Sequence, residues 1–366
     1  MTENHRPSGL GLMMIVKDEA HVLARCLESA MPLVDWWVIA DTGSTDGTQD
    51  LVRATLGDLP GRLVERPWVD FAHNRQEVLE LARSAPQRSS GDYAVWIDAD
   101  EQFADVPSDL GALDRDGYYL TVLEGGTRYG RLAVVRLDRP WTWRSPVHEY
   151  LDLPGATLGE LGRPTVVAEH AGARSRDPDT YRKDAAILAA AVEREAGDPR
   201  LQFYLAQSWR DAGELEQALA GYAARAGNPD GWHQERWYAR FQIAVLRERL
   251  GHPAAEVADA YLTAHQECPW RAEPLVELAR LERTRERFAV GLLYARAATG
   301  LPMPHHEALF VDADTYTWRA WDEVAINAYW AGEYAEGAAA ARAALAVRPD
   351  DPRLRANLEF CEGRLG

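Results

Sequence analysis

A change in hydrophobic patterning near Pro178 constrains this chain more than any other feature. Before it, short apolar runs alternate with helical stretches; after it, Ala- and Leu-rich segments follow one another with almost no β-branched runs. Parallel strands need crossover connections, so the first pattern belongs to a mostly parallel sheet faced by helices. The second is all-helical. Because domains of about 100–150 residues are commonest, one core does not serve 366 residues. The expectation is an α/β domain over residues 9–175 and an all-α repeat domain over residues 178–366.

Within the first half, LGLMMIV (10–16) is apolar apart from Gly11, as a strand buried on both faces should be. A helix follows from about Glu19 to Ala30. WWVIA (36–40) reads as a second strand, DTGSTDGT as a polar turn, and TQDLVRATLGD as a helix capped by Thr45 or Asp46. The unit recurs in LVERP (63–67), the helix NRQEVLELARS, and YAVWI (93–97), which runs into DADE. GYYLTVLEGG and RYGRLAVVRL read as antiparallel strands around a Gly-rich turn, which makes the sheet mixed.

In the second half a small residue recurs seven positions before a Gly or Glu: Ala206 and Gly213, Ala244 and Gly251, Ala279 and Glu286, Ala325 and Gly332. Successive second members lie 38, 35 and 46 residues apart. That is looser than the period of about 34 in tetratricopeptide repeats but of the same helix–turn–helix kind, which stacks into a solenoid with a concave face for a peptide or a neighbouring domain. Trp209 and Trp330 fall at repeat-like positions and are expected in its core.

Charge and composition exclude several roles. With 57 acidic against 40 basic residues the formal net charge is −17, which repels a nucleic-acid backbone. No apolar run is long enough to span a bilayer, and MTENHRPSG lacks the apolar block of a signal peptide, so a cytoplasmic protein is expected. Cys26, Cys268 and Cys361 are too few and scattered for a disulfide framework or zinc cluster, and read as reduced packing residues.

The second strand ends in Asp41 and the fourth in Asp98-Ala99-Asp100. Ligands of open α/β sheets sit at the carboxyl ends of strands, so these acids can converge on one crevice. Asp98 and Asp100 are two apart, and on extended backbone both side chains leave one face. Two adjacent carboxylates repel unless a cation sits between them, and oxygen ligands with a diphosphate completing the shell suit Mg²⁺ or Mn²⁺. Other motifs fail on the letters. An EF-hand starting at Asp41 would need a chelating side chain where Val52 stands, and GLG (9–11) precedes the first strand instead of following it. A haloacid-dehalogenase phosphatase would want Thr or Val at Gln102, and no Walker loop is present.

MIVKDEAHVLARCLESA, VDWWVIADTGSTDGT, WVDFAHNRQEVLELA and GDYAVWIDADE resemble, in order and across about residues 10–172, the successive blocks of family 2 inverting glycosyltransferases of the GT-A fold, an α/β, Rossmann-like mixed sheet. The helical remainder is similar to the domains of a bacterial subgroup with tetratricopeptide-like C-termini. The resemblance implies that the backbone of Ile15, Val16 and Lys17 lines the nucleotide and that Asp41 accepts the uracil N3 proton. It puts Asp98 near the ribose or metal, Asp100 on the metal that bridges the donor diphosphate, and His170, in VVAEHAG, in the metal shell as a third ligand. Arg75 is a candidate for nucleotide or diphosphate contact, beside the plainer reading of a surface residue opening a helix. SPVHEYL (145–151) resembles the acceptor-side HE segment, which offers Glu149 as the base and His148 as the alternative. The structural alternative is that Glu149 anchors its loop by an ion pair with Arg144. Trp141 or Trp143 is a candidate wall of the sugar pocket.

The activity so implied is hexosyl transfer from a UDP-sugar, with Mg²⁺ or Mn²⁺ and inversion at the anomeric carbon, to a peptide or protein side chain held by the helical repeats. Without an amphipathic basic helix to hold a membrane lipid, a peptide acceptor is preferred to a polysaccharide or lipid-core acceptor. A different class of reading is a repeat scaffold whose GT-A domain binds nucleotide without turnover. A nucleotidyltransferase would carry a Gly-rich basic loop where VKDEAH stands.

Overall fold

The computed structural model describes residues 9–89, 91–125, 127–169, 171–172, 177–305, 307 and 309–365. The chain divides into two compact units, the first ending at Glu193 and the second beginning at Arg194. The last strand of the first unit ends at Ala168, and the helix Thr180–Arg194 falls with that unit in all but its last residue.

The first unit runs β1 (Leu10–Val16), α1 (Leu23–Ala30), β2 (Trp36–Asp41), α2 (Thr48–Leu56), β3 (Gly61–Glu65), α3 (Phe71–Arg83), β4 (Tyr93–Trp96), β5 (Glu101–Ala104), β6 (Gly117–Glu124), β7 (Thr127–Arg136), β8 (Thr142–Arg144), β9 (Tyr150–Asp152), β10 (Leu158–Ala168) and α4 (Thr180–Arg194). Its main sheet has the order β3-β2-β1-β4-β7-β6-β10-β5, with β8 and β9 as a separate pair. β1 pairs parallel to β2 and β4, and β2 parallel to β3. β7 is antiparallel to β4 and β6, and β10 is parallel to β6 and antiparallel to β5, so the sheet is mixed as the sequence predicts. Both faces are covered: Leu12, Met14, Ile39 and Val95 pack with Leu23 and Leu27, and Met13, Val38 and Ala94 with Val78 and Leu79. Gly11 is required by close approach, since a Cβ there would stand 2.3 Å from the Trp36 ring.

The second unit is built of helical hairpins: α5 (Pro199–Asp211) with α6 (Leu215–Gly227), α7 (His233–Arg249) with α8 (Ala254–Glu267), α9 (Glu273–Thr284) with α10 (Phe288–Thr299), and α11 (Ala320–Ala331) with α12 (Tyr334–Val347). The helix α13 (Pro352–Glu362) follows. The repeat seen in the sequence has a physical basis. Ala206, Ala244, Ala279 and Ala325 are fully buried where the helices meet, and Gly213, Gly251, Glu286 and Gly332 all lie in the left-handed region, with φ of 80°, 74°, 60° and 84°. Backbones approach closely there: a Cβ on Gly291 would stand 3.0 Å from the Ala279 carbonyl oxygen, and one on Gly337 3.2 Å from that of Ala325.

The long third interval is an insertion between α10 and α11. The Leu309 N–H donates to Gln234 (2.8 Å) and the Phe310 carbonyl accepts from Arg271 (3.1 Å). Arg271 is itself buried over the Trp237 ring and forked onto Glu273. Trp209 packs against the first hairpins' core as expected. Trp330 does not: it is 62% exposed and stacks on Phe288, because α11 buries the stripe Val324, Ala325 and Ala328, and Trp330 lies off it.

Candidate active site

The chemistry-bearing residues collect at the carboxyl ends of β1, β2 and β4, where the strand order reverses between β1 and β4, the place at which open α/β sheets take ligands. Asp41 closes β2 and is fully buried. Its Oδ1 accepts from the N–H of Gly43 (3.0 Å) and Ser44 (2.9 Å) and from the Gln49 amide (3.0 Å). Its Oδ2 is buried with no hydrogen-bond partner among the described residues. Desolvation pushes the carboxyl pKa up, but the bonds from Ser44, Gln49 and Gly43 outweigh it and hold the group below its ordinary value, so it is ionised at neutral pH.

The turn after Asp41 is laced to the loop after β1. Ser44 Oγ accepts the Asp18 N–H (2.9 Å), Asp18 Oδ1 accepts the Thr45 N–H (2.7 Å), Thr48 Oγ1 accepts the Glu19 N–H (2.8 Å) and Asp46 Oδ2 accepts that of Ala20 (2.9 Å). The polar letters of DTGSTDGT therefore fix the VKDEA loop, although Thr45 and Asp46 remain exposed. Asp46 also accepts the Thr48 N–H (3.0 Å), while the N-cap position itself belongs to Gly47 with φ 95°. Of the nucleotide-lining candidates, the Val16 carbonyl takes the Thr42 N–H (2.9 Å) and hydroxyl (3.2 Å), Ile15 is half-buried and Lys17 is exposed.

Asp98 and Asp100 do not lie on extended backbone. β4 ends at Trp96, and a turn follows in which the Glu101 N–H donates to the Asp98 carbonyl (3.1 Å) while Glu101 Oε2 accepts the Asp98 N–H (3.0 Å). Strand alternation therefore does not put the two carboxylates on one face. Asp98 meets Arg75 and Arg131; Asp100 Oδ2 accepts the Gly172 N–H (3.0 Å), and the Asp100 carbonyl accepts from Arg25 (2.9 Å).

Arg75 is placed by α3, whose N-terminus is capped by Asp70 accepting the His73 N–H (2.8 Å). The adjoining loop is held by buried Asn74, which accepts the Val69 N–H (3.0 Å) and donates to the Pro67 carbonyl (3.0 Å). Arg75 is 5% exposed and gives Nη2 to Asp98 Oδ1 and Nε to Glu149 Oε1, each at 2.5 Å. Its guanidinium lies over Trp96 (4.5 Å) and Trp143 (5.2 Å). Burial works against that charge, but Asp98 and Glu149 more than offset it and raise the Arg75 pKa above its ordinary value. Arg131, from β7, forks onto Glu101 (2.7 and 2.6 Å) and also lies over Trp96 (4.2 Å).

Glu149 thus pairs with Arg75; Arg144 stands nearer Asp152 (3.5 Å). His148 is exposed, with left-handed backbone (φ 55°). Trp141 and Trp143 are both buried, and Trp143 is the one that reaches the site, through Arg75. His170 lies outside the described residues. Among those described, no group of three or more His, Cys, Asp and Glu is arranged to hold a metal ion. Asp98 is engaged by Arg75 and Arg131, whereas Asp100 Oδ1 makes no hydrogen bond among the described residues, so Asp100 is the carboxylate with an oxygen left to offer a hard cation. Arg131, Glu101, Asn74 and Arg25 were not legible as site residues; the alternation of β7, which turns Arg131 inward between Leu132 and Gly130, is the one signal that points to any of them.

Residues 12–152 match the family model described as glycosyl transferase family 2. A TPR repeat-containing protein of Synechococcus elongatus is 28% identical over 79% of this chain and 74% of its own length. Among solved structures, a tetratricopeptide repeat protein from Parabacteroides merdae is 19% identical, with 51% of this chain and 68% of that chain covered at a TM-score of 0.39. The C-terminal part of a TPR repeat-containing protein from Cytophaga hutchinsonii is 8% identical, with 51% and 67% covered at 0.42. No helix among the described residues is long and apolar enough to cross a membrane. Residues 12–152 are therefore a glycosyl transferase family 2 domain, and the chain continues into a helical region resembling tetratricopeptide repeats.

Proposed function

We propose that this protein is a cytoplasmic hexosyltransferase that moves a sugar from a UDP-sugar, with inversion and with Mg²⁺ or Mn²⁺, to the side chain of a peptide or protein. The observation that carries the donor reading is Asp41: an ionised, buried carboxylate with one oxygen left without a donor. An unpaired buried acceptor is costly, and the N3–H of uracil supplies the missing donor where the N3 of cytosine, itself an acceptor, would not. The backbone of Ile15, Val16 and Lys17 lines the nucleotide in this reading. Asp98 and Asp100, with His170, would hold the cation; when bound, it neutralises the charge that gathers on the diphosphate leaving group. On the opposite side of the sugar, Glu149 takes the proton of the acceptor nucleophile, with His148 as the alternative base. The helical repeats hold the acceptor peptide.

The test is release of UDP from a panel of UDP-sugars with Mn²⁺ and peptide acceptors, for the native protein and Asp100→Ala. Metal-dependent release that the variant loses supports transfer. Nucleotide binding without turnover on any donor would sink it in favour of a scaffold.

A further inference from the structure

Arg75 turns its Nε and Nη2 donors toward two different protein carboxylates. Arg75 joins a residue of the β4 turn, Asp98, to a residue of the β8–β9 connection, Glu149, with 2.5 Å bonds to each. It is 5% exposed, and the rings of Trp96 and Trp143 lie against its guanidinium and against each other, edge to face at 5.1 Å. A guanidinium that is desolvated, stacked and doubly paired has little to gain by leaving two carboxylates for a phosphate. Asp98 also has Arg131 near it (3.9 Å), whereas the Glu149 ion pair among the described residues is with Arg75.

We propose that Arg75 is a positioning residue and not a ligand of the donor phosphates: it fixes the distance between Asp98 on the donor side and Glu149 on the acceptor side. This rests on the transferase reading above, in which Glu149 meets the acceptor. A rigid strut between the two carboxylates keeps the base in line with the sugar whether or not donor is bound. Lysine keeps the charge but has no planar fork, so it can hold one carboxylate and not both.

Two measurements on the full chain test this. In steady-state transfer, Arg75→Lys should leave UDP affinity in the presence of Mn²⁺ within about threefold of native while turnover falls on the order of tenfold to a hundredfold, the signature of misplacement and not of lost binding. A loss of UDP affinity of about tenfold or more, or unchanged turnover, would overturn the proposal. Independently of activity, the protein labelled with ¹⁵N-arginine should show a slowly exchanging Nε–H resonance that Glu149→Gln removes and that saturating UDP and Mn²⁺ leave in place. Its loss or large shift on adding UDP and Mn²⁺ would mean that Arg75 changes partners, and the strut would be refuted. Should Arg75→Lys fail to fold, the titration of the native protein still decides. A native protein that releases no UDP from any donor sinks the transferase reading, and the resonance then still reports whether Arg75 holds its two carboxylates.

Discussion

Glu286 stands where the other hairpins place glycine, and this makes the repeat its own control. Gly213, Gly251 and Gly332 turn from the first to the second helix of their hairpins with φ near 80°, and Glu286 does the same with φ 60°. A residue with a Cβ loses about 1–2 kcal/mol in that region, while glycine costs about 0.5–1 kcal/mol more chain entropy on folding. The Glu286 side chain is exposed and makes no hydrogen bond or ion pair among the described residues, so nothing else is given up on replacing it. Glu286→Gly should therefore stabilise the protein by about 0.5–1 kcal/mol, and Gly213→Ala, Gly251→Ala and Gly332→Ala should each destabilise it by a similar amount. In guanidinium unfolding followed by circular dichroism, that is a midpoint shift of about 0.1–0.4 M, upward for the first variant and downward for the others, at constant slope. A lower midpoint for Glu286→Gly, or unchanged midpoints for all the alanine variants, would refute the claim that these turns are set by backbone conformation.

Three further outcomes follow from single contacts. Gly11→Ala would drive a Cβ to 2.3 Å from the Trp36 ring; it should destabilise the first unit by about 1–3 kcal/mol, read as a lower denaturant midpoint. Arg271→Met leaves the buried Glu273 carboxylate without its cation, so a loss of about 3–5 kcal/mol is expected in the second unit, checked by limited proteolysis of the insertion after α10 and by thermal melting. Asp41 has its folded pKa held below the ordinary value, so the stability it contributes is complete above its unfolded pKa of about 3.9 and disappears as pH falls through the folded value. The acid limb of the stability profile should accordingly be shallower in Asp41→Asn than in the native protein.

How much of this was readable beforehand depends on the range of the interactions involved. Strands β1, β2 and β4, the antiparallel β6–β7 pair and the helical turns at Gly213, Gly251, Glu286 and Gly332 announce themselves through neighbouring residues, since periodicity and turn chemistry are local. That Asp41 and the Asp98–Asp100 turn both stand at the carboxyl ends of parallel strands on either side of β1 was legible in the strand pattern. The partners of those acids were not. That Arg75 would choose Glu149, 74 residues away, over a surface position depends on how α3 and the β8–β9 connection pack against Trp96 and Trp143, which no local pattern encodes. The Asp-Ala-Asp string reads as extended from its letters, but Glu101 bends it through its side chain as well as its backbone. Trp330 lies outside the core its spacing suggests, because spacing identifies a position in a helix but not the side on which the next helix lies.

The place of β10 has a practical side. It lies between β6 and β5, and β5 is the terminal strand of that order with β10 as its neighbour. A recombinant fragment trimmed to residue 152, where the family match stops, would keep β5 and β6 and discard the strand that joins them. It would carry raw edges of the kind that recruit other chains into aggregates. A nascent chain meets the same hazard on the ribosome, and is exposed to it until Ala168 has emerged.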